Sequence, residues 1–337
     1  MMQENDSILS AQSLSIGYRQ GGNVTTVMQW LDLQLHRGCL TALLGRNGIG
    51  KSTLLRTIAG AQPALAGAVW LDGNFVGSYS PREVSRKLSL VYTDRTQAGG
   101  LTVEQLVELG RYPYTGFFGR LDSHDRDVVA NAMAATGIDH KRDSFVAELS
   151  DGERQKAMIA RALAQETPVI MLDEPTAFLD VASRIEVMTL LHNLAHGQNK
   201  AVLLSTHDIS QTLLLADELW IVTDDRKVLC GCTEDLILSG GMQQLFPSCS
   251  GMAFDMLHGD FEMSLNPEYR YDVECADPVL RRWVANALRR NGISPDGGTE
   301  GKVEVSSRSD ITVSCPDGKR VKCRSMAGLV SCIRNKR

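Results

Sequence analysis

The feature that most constrains this chain is a glycine-rich loop between a predicted strand and a predicted helix. Residues 45–53 read GRNGIGKST and fill every fixed position of the pattern G-x-x-x-x-G-K-[ST]. Glycines let the backbone close around a polyphosphate so that several N–H groups point at the anion. Lys51 adds a positive charge for the β- and γ-phosphates, and the hydroxyl of Ser52 is a suitable ligand for Mg²⁺.

The residues around the loop predict the context that this pattern needs. Residues 39–44 form an apolar run, which predicts a buried strand. Leu54, Leu55 and Ile58 then have helical spacing, and Gly60 ends the helix. The phosphates would lie at a helix N-terminus, where free N–H groups and the helix dipole favour negative charge. We therefore expect a phosphate-binding loop and not a chance glycine-rich turn.

Length and composition favour a cytoplasmic globular protein. The chain has 337 residues, of which 43% are hydrophobic and 22% charged, enough for one large domain and a smaller one. No uncharged apolar run approaches the ~18–20 residues of a membrane span. The acidic N-terminus lacks the pattern of a secretion signal. We therefore expect the eight cysteines to be reduced thiols, with Cys230 and Cys232 in a structural role.

Charge divides the chain into two parts. Residues 271–337 contain 13 basic and 8 acidic side chains, whereas residues 1–270 contain 22 and 32. This asymmetry predicts a boundary near residues 245–270. We expect a main domain over residues 5–245 and a small α+β extension over residues 246–337. The extension is either a regulatory or dimerising domain or an inert addition.

Hydrophobic periodicity predicts an α/β main domain. Alternating residues near the N-terminus predict antiparallel strands and a hairpin that turns at Asp72 and Gly73. Residues 101–165 have helical spacing and form a predicted helical subdomain with Thr102 as an N-cap. A parallel α/β pattern follows, with a helix over residues 182–196. The predicted buried strands of this part are residues 169–172, 201–204 and 219–222, the last of which closes the sheet.

The extension has short periodic segments of its own. Alternation around His258 and Gly259 predicts a hairpin. The other predicted elements are strands at residues 271–275, 302–305, 311–314 and 320–323 and helices at 278–290 and 326–335. Paired arginines flank Trp283, but the charge of the extension is too mild to predict a nucleic-acid surface.

Two adjacent acids follow the predicted strand over residues 169–172. Asp173 is suited to hold Mg²⁺ directly or through water, and Glu174 to orient or deprotonate a water at the γ-phosphate. In isolation such a pair more often caps a helix, but the complete phosphate loop favours the catalytic interpretation. His207 ends the next predicted strand, where an imidazole can hydrogen-bond the γ-phosphate.

A second helix start has the chemistry of an anion site. Ser150 is a predicted N-cap of a helix over residues 153–164, and Gly152 allows close approach of the backbone to an anion. Such a start need not serve the nucleotide of its own chain, because a symmetric dimer could apply it to the nucleotide of the partner.

Over residues 5–245 the chain resembles the ATP-binding-cassette (ABC) ATPases. The phosphate loop, the signature segment at residues 149–155, the acid pair, Asp180 and His207 occur in the order and spacing of that family. The resemblance implies a P-loop NTPase core with a mixed sheet and helices, an antiparallel β subdomain and a helical subdomain. It also implies a head-to-tail dimer, in which each ATP lies between the phosphate loop of one chain and the signature segment of the other.

The resemblance assigns roles to single residues. It implies catalytic roles for Lys51, Asp173, Glu174 and His207, and Mg²⁺ binding by Ser52 and Asp173. Tyr18 matches the aromatic residue that stacks on adenine, with a core strand residue as the alternative. The implied nucleotide-binding residues are Tyr18, Gly45, Arg46, Asn47, Gly48, Ile49, Gly50, Lys51, Ser52, Thr53, Ser150, Gly152 and Asp180.

Two positions depart from the family pattern. Most members have glycine where this chain has Asp151, and a carboxylate there is unfavourable near the partner's phosphate unless it points away. The glutamine that normally follows the strand over residues 88–91 and contacts Mg²⁺ is absent. Thr93 or Asp94 takes its place, and we expect Asp94 to be a metal ligand, with Gln97 a weaker candidate.

Residues 110–121 resemble a segment of importers of iron–siderophore complexes, haem and vitamin B12. Four aromatic residues fall within residues 112–118, so this segment is either a local core or a surface that contacts a coupling helix of a permease. This branch implies transmembrane permease subunits, a binding protein outside the membrane and a position on the inner face of the cell membrane. No nucleic-acid partner is expected.

The sequence also leaves other functions and a metal site to consider. A non-transport cassette acting as an ATP-gated clamp is the main alternative, since residues 93–94 are unusual and the extension is basic. A binding module with negligible turnover is disfavoured by Glu174. His192 and His196 lie four residues apart on a predicted helix but lack the glutamate of H-E-x-x-H, so we expect a solvated helix face.

Overall fold

The computed structural model describes residues 7–92, 100–246, 252–263, 267, 269–295, 297, 300–314 and 318–334. Its contacts divide the chain into two compact units. The first contains Met1–Ser250 and Phe254–Phe261, and the second contains Gly251–Ala253 and Glu262–Arg337.

The described part of the first unit contains a six-stranded sheet and a four-stranded sheet with surrounding helices. Its strands are β1 (Ser7–Gln20), β2 (Asn23–His36), β3 (Leu40–Leu44), β4 (Ala66–Leu71), β5 (Asn74–Phe75), β6 (Leu88–Val91), β7 (Val169–Asp173), β8 (Ala201–Thr206), β9 (Glu218–Val222) and β10 (Val228–Cys232). Its helices are α1 (Lys51–Ile58), α2 (Pro81–Val84), α3 (Val103–Glu108), α4 (Ser123–Thr136), α5 (Asp151–Ala164), α6 (Val181–Gln198), α7 (Ile209–Leu215) and α8 (Thr233–Leu238), and a 3-10 turn at Leu109–Arg111 follows α3.

The larger sheet positions the predicted site. Its strand order is β10-β9-β3-β8-β7-β6, and β9, β3, β8, β7 and β6 run parallel. Leu44 pairs with Thr206, and Asp173 pairs with Ser205. The phosphate loop and the acid pair therefore leave the sheet at the same carboxyl edge, where open α/β sheets bind ligands.

One sequence prediction for this sheet is wrong. The strand over residues 219–222 does not close it, because β10 pairs with β9 in antiparallel fashion beyond it. The residues of β10, VLCGC, are half-exposed or exposed and do not alternate between apolar and polar types. Hydrophobic periodicity therefore predicted no strand there.

The smaller sheet of the first unit is antiparallel, in the order β2-β1-β4-β5. The predicted hairpin turn is confirmed, because Asp72 and Gly73 have φ angles of 50° and 76° between β4 and β5. Apolar side chains of this sheet, including Leu9, Leu14 and Leu35, share a buried cluster with α1 and the larger sheet. A second buried cluster joins the other face of the larger sheet to α3, α4, α5 and α6.

The second unit is a small α+β fold. It contains β13 (Tyr269–Cys275), α9 (Pro278–Arg289), β14 (Ile293–Ser294), β15 (Gly301–Ser307), β16 (Asp310–Ser314), β17 (Arg320–Cys323) and α10 (Met326–Arg334). The strand order is β14-β13-β15-β16-β17. Val284 and Leu288 of α9 and Leu329 and Ile333 of α10 join one buried cluster with the sheet, so both helices cover the same face.

A hairpin precedes the second unit. The predicted turn at His258 and Gly259 connects β11 (Met252–Asp255) and β12 (Asp260–Met263), and Gly259 has a φ of 66°. Phe254 and Phe261 contact an apolar cluster around Leu44 and Leu219 of the large sheet. Contacts thus group most of this hairpin with the first unit, and the domain limits 5–245 and 246–337 stay a prediction.

No helix within the described ranges is both long enough and apolar enough to cross a membrane.

Candidate nucleotide site

The phosphate loop begins where the buried strand β3 ends. Gly48 and Gly50 have φ angles of 77° and 118°, a region that L side chains rarely adopt. A Cβ at Gly50 would also lie 2.4 Å from Cγ1 of Val27, so only glycine fits this position. No side chain caps the start of α1. The first N–H groups of α1 are therefore open to a bound anion.

Lys51 lies inside the loop and is only 5% exposed. Its Nζ donates hydrogen bonds to the carbonyl oxygens of Gly45 (2.8 Å) and Arg46 (3.3 Å). The same atom lies 3.5 Å from Oε1 of Glu174. Three oxygens therefore hold the ammonium group at the mouth of the loop, beside one of the predicted catalytic acids.

Ser205 organises the acid pair. Its buried hydroxyl donates to Oδ1 of Asp173 (2.6 Å) and accepts a hydrogen bond from the backbone N–H of Glu174 (2.9 Å). Ser205 is not among the site residues predicted from the sequence. The available signal was a polar Ser205-Thr206 pair at the end of an apolar strand, directly before His207.

Glu174 has an unusual backbone conformation and lies beside Lys51 and His207. Its φ of 47° lies in the left-handed region, which costs a residue other than glycine roughly 1–3 kcal/mol and often marks functional sites. Its Oε2 lies 3.6 Å from Nδ1 of His207, and its Oε1 faces Lys51. The structure thus brings three predicted catalytic residues into one cluster.

Tyr18 lies beside the start of α1. Its hydroxyl forms a hydrogen bond of 2.5 Å with Oγ1 of Thr53, and its side chain is 47% exposed. Tyr18 is therefore an exposed residue next to the phosphate loop and not a core residue, and its stacking on adenine stays a prediction. Across the loop, Nη1 of Arg46 lies 3.4 Å from Oδ1 of Asp224.

The signature segment forms a second cluster with the start of α6. Ser150 caps α5 in a capping box with Glu153, as the sequence predicts. Asp180 caps α6 by accepting a hydrogen bond from the N–H of Ser183 (2.7 Å). A Cβ at Gly152 would lie 2.7 Å from Oγ of Ser183, so glycine permits the close approach of these two helix starts.

Comparison with known proteins identifies the family. The sequence profile of the ABC transporter family matches residues 28–177, and that of the iron ABC transporter C-terminal domain matches residues 275–334. The ferric enterobactin transport ATP-binding protein FepC of Escherichia coli K12 is 36% identical over 245 residues, which cover 73% of this chain and 89% of that protein. The chain belongs to the ABC transporter ATP-binding proteins. It is thus an ATPase of the ABC type that binds ATP.

Other ABC proteins agree with this assignment. The cobalamin import ATP-binding protein BtuD of Halobacterium salinarum is 35% identical over 272 residues, covering 77% of this chain and 68% of that protein. Among solved structures, an inward-facing conformation of a metal-chelate type ABC transporter is 30% identical, with a TM-score of 0.62 over 72% of this chain and 89% of that chain. CbiO1 of Clostridium perfringens, part of the transporter complex CbiONQ, is 29% identical, with a TM-score of 0.61 over 71% and 93%. The predicted α/β fold with a P-loop core is confirmed.

The structure explains how this ABC ATPase tolerates Asp151. Nη1 of Arg154 donates to Oδ1 of Asp151 (2.9 Å), and Nη2 of Arg154 donates to the carbonyl of Leu149 (3.0 Å). An arginine one turn along the helix thus pairs with the carboxylate, which would reduce its repulsion of a phosphate bound at this helix start.

Some predicted ligands cannot be placed. Thr93, Asp94 and Gln97 lie outside the described residues, so the metal-ligand role of Asp94 stays a prediction. In the described ranges, no group of three or more His, Cys, Asp or Glu side chains could hold a metal ion. His192 and His196 stack with ring centroids 4.1 Å apart, and Nε2 of His196 contacts Asp217 at 3.1 Å.

Acid is expected to weaken the start of α5 through Glu153. The backbone N–H and the hydroxyl of Ser150, together with Lys141, lower the pKa of Glu153 from 4.5 to about 2. Because folding lowers this pKa, the stabilisation is complete above about pH 4.5 and is lost as the pH falls toward 2. The Tm loss caused by Glu153→Gln, measured by circular dichroism, should therefore shrink between about pH 7 and pH 3. An equal loss of Tm at both pH values would contradict the lowered pKa of Glu153. The control is Glu186→Gln, at an exposed ion pair with Lys156.

Proposed function

We propose that this ABC ATPase powers the import of an iron–siderophore, haem or cobalamin-type complex. The observation that carries the proposal is the match of residues 275–334 to the iron ABC transporter C-terminal domain, next to a cassette related to importer subunits. The names of the relatives, which include ferric enterobactin and cobalamin transport, support the same class of cargo. The chain would act with a second copy and with permease subunits, fed by a binding protein, on the inner face of the cell membrane.

The phosphates would bind at the backbone of residues 45–52 and at Lys51. Mg²⁺ would be held by the Ser52 hydroxyl and the Asp173 carboxylate. These are the hard oxygen ligands that Mg²⁺ prefers, and the bond from Ser205 fixes the orientation of Asp173. Bound Mg²⁺ would neutralise charge that develops on the β- and γ-phosphates.

Glu174 would act as the general base that takes a proton from the attacking water. Its carboxylate lies between Lys51 and His207, two groups that also suit the γ-phosphate. His207 would donate a hydrogen bond to the γ-phosphate. The left-handed backbone of Glu174 and its N–H bonds to Ser205 would aim the carboxylate at that water.

Dimer closure would complete each site. Ser150 and Gly152 would contact the γ-phosphate held by the partner copy, and Asp180 would lie at the same interface. The close approach of the starts of α5 and α6 at Gly152 and Ser183 supports this arrangement, because the dipoles of two helix N-termini on one surface favour an anion.

A permease contact is proposed at three exposed aromatic residues. Tyr112, Phe117 and Phe118, here named the aromatic tip, are 76%, 100% and 83% exposed. These three side chains therefore do not form a local core, which was one of the two alternatives left by the sequence. Tyr114, in contrast, is half-buried. A group of exposed aromatic side chains of this kind is typical of protein-binding surfaces. The clamp alternative has no such support from the relatives.

Uptake measurements test the function and the docking surface together. A strain that lacks this chain should lose uptake of labelled ferric siderophore, haem or cobalamin, and the wild-type chain should restore it. The double variant Phe117→Ser/Phe118→Ser should restore little uptake and should recover about tenfold less permease on affinity purification, because apolar contact area is lost. Trp30→Ser, which removes an aromatic side chain that is 70% exposed elsewhere on the cassette, is the matched control.

Normal uptake of all three cargo classes without the chain would contradict the import proposal. Normal permease recovery with the double variant would contradict the docking surface alone. Recovery of ribosomes or DNA in place of a permease would support the clamp alternative.

A further inference from the structure

We propose that Arg111 and Tyr114 are positioning residues that link the aromatic tip to the signature helix α5. They would transmit the movement of a docked permease to Ser150 and Gly152 at the other end of that helix. This inference rests on the proposed function, since it assumes that the permease contacts the tip.

Arg111 lies buried between the tip and the end of α5. It is 2% exposed, although arginine is rarely buried without partners. Its Nη1 donates to the carbonyl of Ala164, the last residue of α5, and to Oε2 of Glu166, both at 2.7 Å. Its Nε donates to Oδ1 of Asp125 on α4 at 2.8 Å. One guanidinium therefore joins the 3-10 turn before the tip to α4 and to the end of α5.

Tyr114 makes a parallel connection. Its hydroxyl donates to the carbonyl of Gln165, directly after α5, at 2.9 Å. The Arg111 guanidinium lies 4.2 Å from the centre of its ring, and that of Arg86 lies 5.2 Å from it. Contacts between an arginine and an aromatic ring are attractive, so Arg111 and Arg86 both help to fix the Tyr114 ring.

The backbone next to these residues touches α5 directly. A Cβ at Gly110 would lie 2.3 Å from the carbonyl oxygen of Arg161, so the chain passes against the last turn of α5 with room only for glycine. Arg82 of α2 also donates to the carbonyls of Pro113 (2.8 Å) and Thr115 (2.7 Å). The base of the tip is thus held by contacts with α2 as well as with the end of α5.

The contacts reach α5 at its far end from the signature. α5 has 14 residues, which correspond to roughly 20 Å at 1.5 Å per residue. A hydrogen-bonded helix moves as a nearly rigid rod, so a shift of Ala164 displaces Ser150 and Gly152 as well. The Arg111–Tyr114 node therefore gives the aromatic tip a mechanical connection to the residues proposed to contact the partner's nucleotide.

A purely structural role predicts a different result. A buried arginine that only stabilises the helical subdomain would change Tm when replaced, but it would not change how strongly the permease stimulates hydrolysis. Removing Arg111 also leaves Asp125 buried without its partner, which destabilises the fold. The decisive variant is therefore Tyr114→Phe, which keeps the ring between the two arginines and removes one hydrogen bond.

The experiment compares ATP hydrolysis by the chain alone with hydrolysis by its complex with the co-purified permease in lipid nanodiscs. Tyr114→Phe should keep permease recovery and the basal rate within about twofold of wild type. Stimulation by the permease should fall about fivefold or more, the size of a typical coupling between sites. Tyr79→Phe is the matched control, because it removes a similar hydrogen bond from a tyrosine hydroxyl to the carbonyl of Leu71 (3.1 Å) away from α5.

Hydrogen exchange separates transmission from docking. Permease binding should slow exchange across residues 111–118 in both wild type and Tyr114→Phe, but across residues 150–157 only in wild type. If the permease stimulated ATP hydrolysis by Tyr114→Phe to within twofold of its effect on wild type, the proposed role of the node would be overturned. If the docking surface is wrong, the double variant Phe117→Ser/Phe118→Ser would instead recover normal amounts of permease. That result does not depend on the hydrolysis rates of Tyr114→Phe.

Discussion

Glu174→Gln is expected to leave ATP binding intact and to slow ATP hydrolysis roughly 10²- to 10⁴-fold, the range over which general-base catalysis contributes. Glutamine has nearly the same shape and can keep the backbone bonds from the Glu174 N–H to Ser205. It cannot accept a proton from water at neutral pH. The proposed phosphate contacts of Lys51 and the loop would stay, so the variant should accumulate with ATP bound.

This expectation is measured by phosphate release under saturating Mg·ATP, with ATP affinity from calorimetry. Glu186→Gln, which neutralises a carboxylate in an exposed ion pair with Lys156, is the control and should hydrolyse ATP at the wild-type rate. A Glu174→Gln variant with normal turnover would show that another group activates the water. Since the bound state persists, scattering of the same variant with ATP should also detect the closed dimer.

Lys51→Ala is expected to abolish useful ATP affinity. A hydrogen bond to a charged group contributes about 1.5–3 kcal/mol, and Lys51 is placed to contact two phosphates, so we expect the Kd to rise roughly 100-fold or more. The substitution also leaves Glu174 with one cationic neighbour fewer, which adds repulsion of the phosphates. Calorimetric titration with ATP measures the change.

A half-buried lysine, Lys200, provides the control for Lys51. Nζ of Lys200 donates to the carbonyl of Thr167 at 2.8 Å, a bond similar to that between Lys51 and Gly45. Lys200→Ala should lower Tm and leave ATP affinity unchanged. An unchanged Kd in Lys51→Ala would remove the basis of the proposed phosphate site.

The elements of the site were predictable from sequence because each depends on local chemistry. Spacing and residue type predict the strand–loop–helix around Lys51, the N-cap at Ser150 and the acid pair at the end of β7. Ser205 was not predicted, since its role depends on β8 lying beside β7, and strand order is a long-range property. Arg111 was read only as part of a family segment, because a sequence does not show that an arginine is buried.

The edge strand β10 and the packing of the hairpin that turns at Gly259 were also hard to predict from sequence, because both depend on long-range contacts. β10 becomes a strand by pairing with β9, although its own pattern is weak. The turn of the hairpin at Gly259 was predictable, but the packing of Phe254 and Phe261 on the large sheet was not. Contacts between distant segments decide such cases.

The two units keep separate apolar interiors. The clusters around β3, β8 and β7 draw on the cassette, while the cluster of α9, α10 and their sheet draws only on residues 271–333. The buried clusters of the cassette therefore draw on no described side chain beyond residue 261. A protein truncated near residue 263 would keep every residue of the catalytic cluster and the buried side chains that support it.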